Sequence, residues 1–210
     1  MLKKSVWILA PIALLVCLCC STAIGQSGDE PAGIAGAERP SAHQKKSKYE
    51  CRAFSKYVVF TTPTEDGVGE DIRVSLRQPN ATLNQSCNIN TAKTLMMIAN
   101  DDSNFFFGLF GDYLFVDVGT GPEPRELRIY DLAKKKKIYT DSYAQPVKIS
   151  SGPSLDFYRA LENNLPKRDC PQAKKWEAGG LGYGFEQRVI LDLTTLKAKP
   201  VGKPRCSPRQ

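Results

Sequence analysis

Residues 105–143 read FFFGLFGDYLFVDVGTGPEPRELRIYDLAKKKKIYTDSY, the densest run of strand-forming aromatic and aliphatic residues beyond the N-terminus. Phe105-Phe106-Phe107 leads to Leu109-Phe110, then Tyr113 to Val118, Leu127 to Tyr130 and Ile138 to Tyr143. Between these runs stand Gly111-Asp112, Gly119-Thr120-Gly121-Pro122 and four consecutive lysines, Lys134 to Lys137. Glycine, proline and clustered charge punctuate strands, so the stretch predicts a β-meander.

Outward from this centre the same signals recur. Toward the N-terminus, Tyr57-Val58-Val59-Phe60 is strand-like, and Ile72, Val74 and Leu76 alternate with Arg73, Ser75 and Arg77. That alternation marks a half-buried strand. Leu95 to Ala99 is another. Toward the C-terminus, Phe185, Gln187, Val189, Leu191 and Leu193 share one face of a long strand, with Ile190 breaking the alternation. Residues 154–163, SLDFYRALEN, fit both a helix capped by Ser154 and a strand face of Leu155, Phe157 and Leu161. A last strand from Leu196 toward Cys206 suits only a sheet edge, because Pro200 and Pro204 cannot donate to a ladder. No internal repeat emerges. The expectation is a mainly-β single domain over residues 49–210, an antiparallel sandwich or barrel with at most one short helix.

Residues 1–25 have the parts of a secretory signal: Lys3 and Lys4, an apolar run from Val6 to Leu18, and small residues ending at Gly25. Cleavage is expected before Gln26. The run falls short of the roughly 20 residues of a membrane span. An uncleaved anchor and a lipid-modified cysteine are the competing readings. Val16 and Leu18 before Cys17 and Cys19 oppose the second, and Cys20 alone follows a small residue. Residues 26–48 are rich in Gly, Ala, Ser, Pro and charge, with Ile34 the sole large aliphatic, and are expected to form a flexible leader.

Four cysteines remain in the processed chain: Cys51, Cys87, Cys170 and Cys206. An even number in an exported chain implies two disulfides. Three connectivities are open; proximity favours Cys51–Cys87 and Cys170–Cys206, each closing about 36 residues and worth about 4 kcal/mol. Metal binding is disfavoured, since no pair has C-x-x-C spacing and the sole histidine, His43, lies in the leader. No cofactor is expected.

That single histidine also removes Ser-His-Asp and Cys-His catalysis from the domain. Carboxylate chemistry survives: Asp101, Asp102, Asp112, Asp117 and Glu123 cluster around the meander, and a glycosidase needs two suitably separated carboxylates. Beside Gly and Asn, such residues are more often turn formers. Asp117, in LFVDVGT, distantly resembles an aspartic-peptidase signature. Val118 stands where a hydroxyl residue is required, and no second copy exists. Gly119 to Pro122 lacks the Gly-Lys-[ST] ending of a phosphate loop. Gly179 to Gly184 is followed by a strand, not the helix of a dinucleotide site. Asn80-Ala81-Thr82 and Asn84-Gln85-Ser86 are sequons, acceptors only in a eukaryotic secretory pathway; the MLKKS start reads as bacterial.

The net charge of +7 falls to +5 when Lys3 and Lys4 leave. Much of the excess lies in Lys134 to Lys137 and in Lys197, Lys199, Lys203 and Arg205. A mild positive charge suits anionic partners, or simply solubility. Tyr113, Tyr130, Tyr139, Tyr143, Trp176 and Tyr183, with Arg125 and the lysine cluster, could stack on sugar or nucleic acid. Aromatics at strand spacing are more often core, so nucleic acid is disfavoured.

The stretch FGLFGDYLFVDVGTGPEPRELRIYDL, with Cys170-Pro171 and the terminal PRCSPRQ, resembles exported proteins of Gram-negative bacteria to which no activity is attached. The resemblance spans most of residues 49–210 and implies a periplasmic or secreted location; it carries no site residue. The resulting expectation is a non-catalytic binding protein of the envelope whose partner is an envelope protein or an anionic glycan or lipid. The alternatives are a carboxylate-based glycan hydrolase and a purely structural envelope component.

Overall fold

The computed structural model describes residues 33–65, 67–122, 124–150, 152–162 and 165–209. The signal segment and residues 26–32 of the expected leader lie outside these. The described chain is mainly β, antiparallel, and holds two disulfides, Cys51–Cys87 and Cys170–Cys206.

The first sheet is a five-stranded meander of β1 (Ala42–Lys45), β2 (Glu50–Ala53), β3 (Tyr57–Pro63), β4 (Glu70–Leu76) and β5 (Thr94–Ile98). The central stretch then forms β6 (Asn104–Phe110), β7 (Tyr113–Val118) and β8 (Arg125–Asp131), turning where the glycines and lysines predicted. Strand β9 (Lys136–Ser150) runs for 15 residues. Its first half pairs with β8 and its second with β10 (Ser154–Ala160), followed by β11 (Gly182–Asp192). Two short strands, β12 (Lys197–Pro200) and β13 (Arg205–Arg209), finish the chain and both pair with β11.

Because β9 belongs to both halves of this second sheet, the sheet folds over on itself. Phe115, Leu127 and Ile129 from one half meet Leu155, Phe157, Val189 and Leu191 from the other in a single core. The opposite face of β6–β8 is also buried: Leu114, Val116 and Val118 pack with Tyr57, Val59, Ile72 and Val74 of the first sheet. The result is three stacked layers, with the predicted meander in the middle and apolar on both faces. Burial of a sheet on both sides accounts for the density of large residues in that stretch.

The expected leader needs correction. From Gly33 on it is part of the fold. Ile34 is buried against Phe107 and Phe115. The Ala35 N–H donates to the Val147 carbonyl at 3.2 Å, and the Ile149 N–H to the Ala35 carbonyl at 2.7 Å. The second half of β9 has no β8 partner, and this segment takes its open side. Strand β1 extends the first sheet beside β2. One aliphatic anchor and backbone pairing to preformed strands are enough to order a segment that has no periodicity of its own.

Residues 154–160 resolve as strand. Leu155 and Phe157 point into the core while Asp156 and Tyr158 point out, a period of two. The polar stretch 78–91 contains a four-residue helix, α1 (Leu83–Ser86), capped by Thr82 and Gln85 in a reciprocal box. Residues 161–181 hold a 3₁₀ turn at Lys167–Asp169 and α2 (Ala173–Ala178).

Each disulfide pins one of these irregular segments to a sheet. Cys87 brings α1 and Ile89 over Phe60 and Val58 on the outer face of the first sheet. Tyr49 adds a hydrogen bond to the Cys87 carbonyl at 2.8 Å. Cys170 holds α2, with Trp176, against Phe185 and Tyr183.

Candidate functional site

Each described carboxylate of the predicted cluster is held by a cation. Asp101 and Asp102 both accept from Arg128, at 2.9 and 2.5 Å, and Glu126 accepts from the same guanidinium at 2.5 Å. Arg128 is buried at 7 % exposure. Burial opposes its charge, but Asp102, Glu126 and Asp101 outweigh that and hold its pKa above the ordinary arginine range. Asp112, in the β6–β7 turn, accepts from Lys56 Nζ and from the Tyr57 hydroxyl, each at 2.6 Å. Asp117 pairs with Arg125 through two contacts of 2.7 and 2.6 Å. Burial pushes the Asp117 carboxyl up despite that partner. Glu123 lies outside the described residues. The arrangement ties loops and strands together and leaves none of the four aspartates without a basic or hydroxyl partner.

The predicted aromatics do not form a platform. Tyr143 and Tyr130 are core residues, and Tyr113 and Tyr139 pack at the core's margin. Trp176 and Tyr183 surround the Cys170–Cys206 disulfide. Tyr139 donates to Asp141 at 2.5 Å and accepts from Arg159 at 2.8 Å. Burial and that carboxylate push its phenol up to about 12. Lys134 to Lys137 stand at the exposed β8–β9 tip, with Lys134 tied to Asp131 at 2.7 Å.

Among the described residues, the sheet face that no layer covers is the outer one of β9–β13, opposite Leu155 and Val189. Strand register fixes what it carries. Asp156 and Tyr158 of β10 lie across from Ile190 and Arg188 of β11, with Lys148 of β9 beyond Asp156. Lys197 and Lys199 of β12 stand beside Asp192 and Ile190, and Arg205, Ser207 and Arg209 of β13 stand beside Glu186, Gly184 and Gly182. Six basic residues on this face thus meet three acidic ones: Asp156, Glu186 and Asp192.

Two of those acids lie beneath the cations. Glu186 is 1 % exposed and Asp156 3 %. Arg188 grips Asp156 with two hydrogen bonds, 2.9 and 2.6 Å, and Lys148 approaches it at 3.5 Å. The Arg188 hydrogen bond holds the Asp156 carboxyl below its ordinary range. Glu186 accepts from Arg205 at 2.8 Å and from the Ser207 hydroxyl at 2.6 Å, and pairs with Arg209 at 3.1 Å. The Arg205 guanidinium also lies 3.4 Å from the Tyr158 ring centroid. Gly184 makes room for Arg209: an added Cβ would stand 2.4 Å from its Nε. The acids orient the guanidiniums, and the exposed surface is cationic. Arg205 and Arg209 border a shallow recess with Pro122 and Leu181.

Sequence reasoning found the charge of Lys197, Lys199 and Arg205 but not its arrangement. It assigned no role to Lys148 and Arg188, which meet at Asp156, or to Arg209, which joins Arg205 at Glu186. The signal was present in KAKPVGKPRCSPR, where Lys197, Lys199, Lys203, Arg205 and Arg209 all occupy odd positions. Among the described residues no group of three His, Cys, Asp or Glu could hold a metal ion, and no helix is long and apolar enough to cross a membrane. His43 meets Glu50 at 3.3 Å on the first sheet. Comparison with protein-family models, curated proteins and solved structures finds no significant match.

Proposed function

We propose that the protein is an exported, non-catalytic binding protein of the bacterial envelope, and that it holds an anionic partner on the uncovered face of β9–β13. The observation that carries this reading is the layering of charge there: Asp156 and Glu186 are buried and the basic groups that cover them face outward. A surface built this way attracts anions while keeping its guanidiniums in fixed orientations. Export rests on the signal-like residues 1–25, on the resemblance to exported proteins and on two disulfides, which persist in oxidising compartments.

The test is retention of envelope components by the immobilised protein at about 0.15 and 0.5 M salt, since the screening length is already ~8 Å at the lower value. The expected result is an anionic component retained at low salt and released at high salt. Retention of neutral material alone, or equal retention at both salts, contradicts the reading. In parallel, Asp101→Asn, Asp112→Asn and Asp117→Asn are each expected to leave retention unchanged. If the wild type turned over a peptidoglycan or soluble glycan and one of these variants abolished it, the protein would be an enzyme.

A further inference from the structure

Resting on that anionic-partner reading, we propose that the partner is a linear acidic polysaccharide lying along the open edge of β12 and β13. These two strands run end to end beside the same edge of β11. Strand β12 pairs with Val189–Asp192 and β13 with Gly182–Glu186, and between them the Val201 N–H donates to the Arg188 carbonyl at 2.8 Å. They act as one interrupted edge strand. On it Lys197, Lys199, Arg205 and Arg209 share the outer face, and exposed Lys203 stands in the intervening turn. Residues two apart on a strand repeat at about 7 Å, and the eleven residues of β11 from Gly182 to Asp192 span about 34 Å. Arg188 holds Val201 through its backbone carbonyl, while its guanidinium turns to Asp156 of β10, so Lys203 is the cation between the two halves. A band of charge this long, with Arg205 reaching inward over Tyr158, matches a chain whose charges repeat along its length, not a single phosphate.

The other anionic partners fit less well. A protein strand added to this edge would need a run of backbone donors there, and Pro200 and Pro208 interrupt it in both strands. A bilayer-docking face joins basic to apolar side chains. Among the described residues the exposed large hydrophobics, Val68, Leu76 and Met97, belong to the first sheet or its loop. Single-stranded nucleic acid stacks its bases on aromatic rings. Tyr158 is the aromatic of this face among the described residues, and the Arg205 guanidinium covers its ring. A polysaccharide needs neither an aromatic platform nor an apolar tip. The guanidiniums held by Glu186 and Asp156 lose little further freedom when it binds.

The experiment is a binding titration of the protein with polygalacturonate, its fully methyl-esterified neutral form, phosphatidylglycerol vesicles and oligothymidylate, each over a range of salt. Polygalacturonate is expected to bind and its neutral form not to. Lys197→Gln/Lys199→Gln should weaken polygalacturonate binding at least about tenfold and lower the slope of log K against log salt by roughly one to two. The melting temperature should stay unchanged, and Lys134→Gln/Lys135→Gln, at the other lysine cluster, should bind as the wild type does. Loss of binding in the Lys134/Lys135 variant, or none in the Lys197/Lys199 variant, overturns the placement. Tighter binding of vesicles or oligothymidylate than of polygalacturonate overturns the polysaccharide but leaves an anionic partner standing. No binding of any anionic probe overturns both.

Discussion

At the residue scale the decisive features are acids that cannot be read without their partners. Asp156 lies in a strand of ordinary pattern, and its role depends on Arg188, 32 positions away. Its depressed carboxyl gives a prediction of definite sign. Stability from such a group is complete above its unfolded value, about 3.9, and is lost as pH falls through the folded value. Asp156→Asn is expected to cost about 1–3 kcal/mol at pH 7, since it removes a charge-assisted partner of a half-exposed arginine. The difference in melting temperature between wild type and variant should hold from pH 7 to 5 and shrink below about pH 4. A difference that shrinks between pH 7 and 5 would mean another group governs it. Gly184 offers a second test. Gly184→Ala forces the Arg209 side chain away from Glu186, so affinity for an acidic polymer should fall while far-ultraviolet dichroism is unchanged. Wild-type affinity in this variant would remove Arg209 from the binding edge.

At the element scale the two disulfides, alike in sequence separation, do different work. Cys51–Cys87 pins α1 over the first sheet, far from the basic face in the topology. Cys206 sits within β13 between Arg205 and Ser207, so Cys170–Cys206 fixes the strand that carries half of the cation row. Removing either pair by serine substitution is expected to cost up to about 4 kcal/mol. Below the melting temperature, Cys170→Ser/Cys206→Ser should also weaken binding of the acidic polymer severalfold, and Cys51→Ser/Cys87→Ser should not. Equal binding by both variants, measured by titration, would detach β13 from recognition. The N-terminal segment makes the complementary point. Ile34→Ala is expected to destabilise by about 2–4 kcal/mol, the cost of a buried cavity. A chain starting at Tyr49 should melt lower still, because β9 and β2 lose partners. Unchanged melting in both would return residues 33–48 to the role of a tether.

At the scale of the whole molecule, what was legible in the sequence was what is local. The glycine turns and apolar runs of residues 105–143 are enough to lay out the meander. The nearer cysteines were the favoured pairs and are the ones joined. The alternation along β11, interrupted at Ile190, already set an apolar face against a polar one. What escaped is what distance in sequence conceals. Ile34 is a single aliphatic in a polar segment, and nothing nearby announces that an open side of β9 awaits it. Asp101, Asp102 and Asp112 read as turn formers or catalytic candidates because their partners Arg128, Lys56 and Tyr57 lie 26 to 56 positions away. The odd-position cations of β12 and β13 were visible as charge. They became a row only when both strands met the same edge of β11.

Hydrogen exchange of the protein with and without polygalacturonate decides whether the uncovered sheet face binds an anionic chain. Slowed exchange confined to residues 184–209, with the first sheet and the Lys134–Lys137 tip unaffected, is the predicted result. Slowed exchange at that lysine tip or across the first sheet, or no change anywhere, would contradict it.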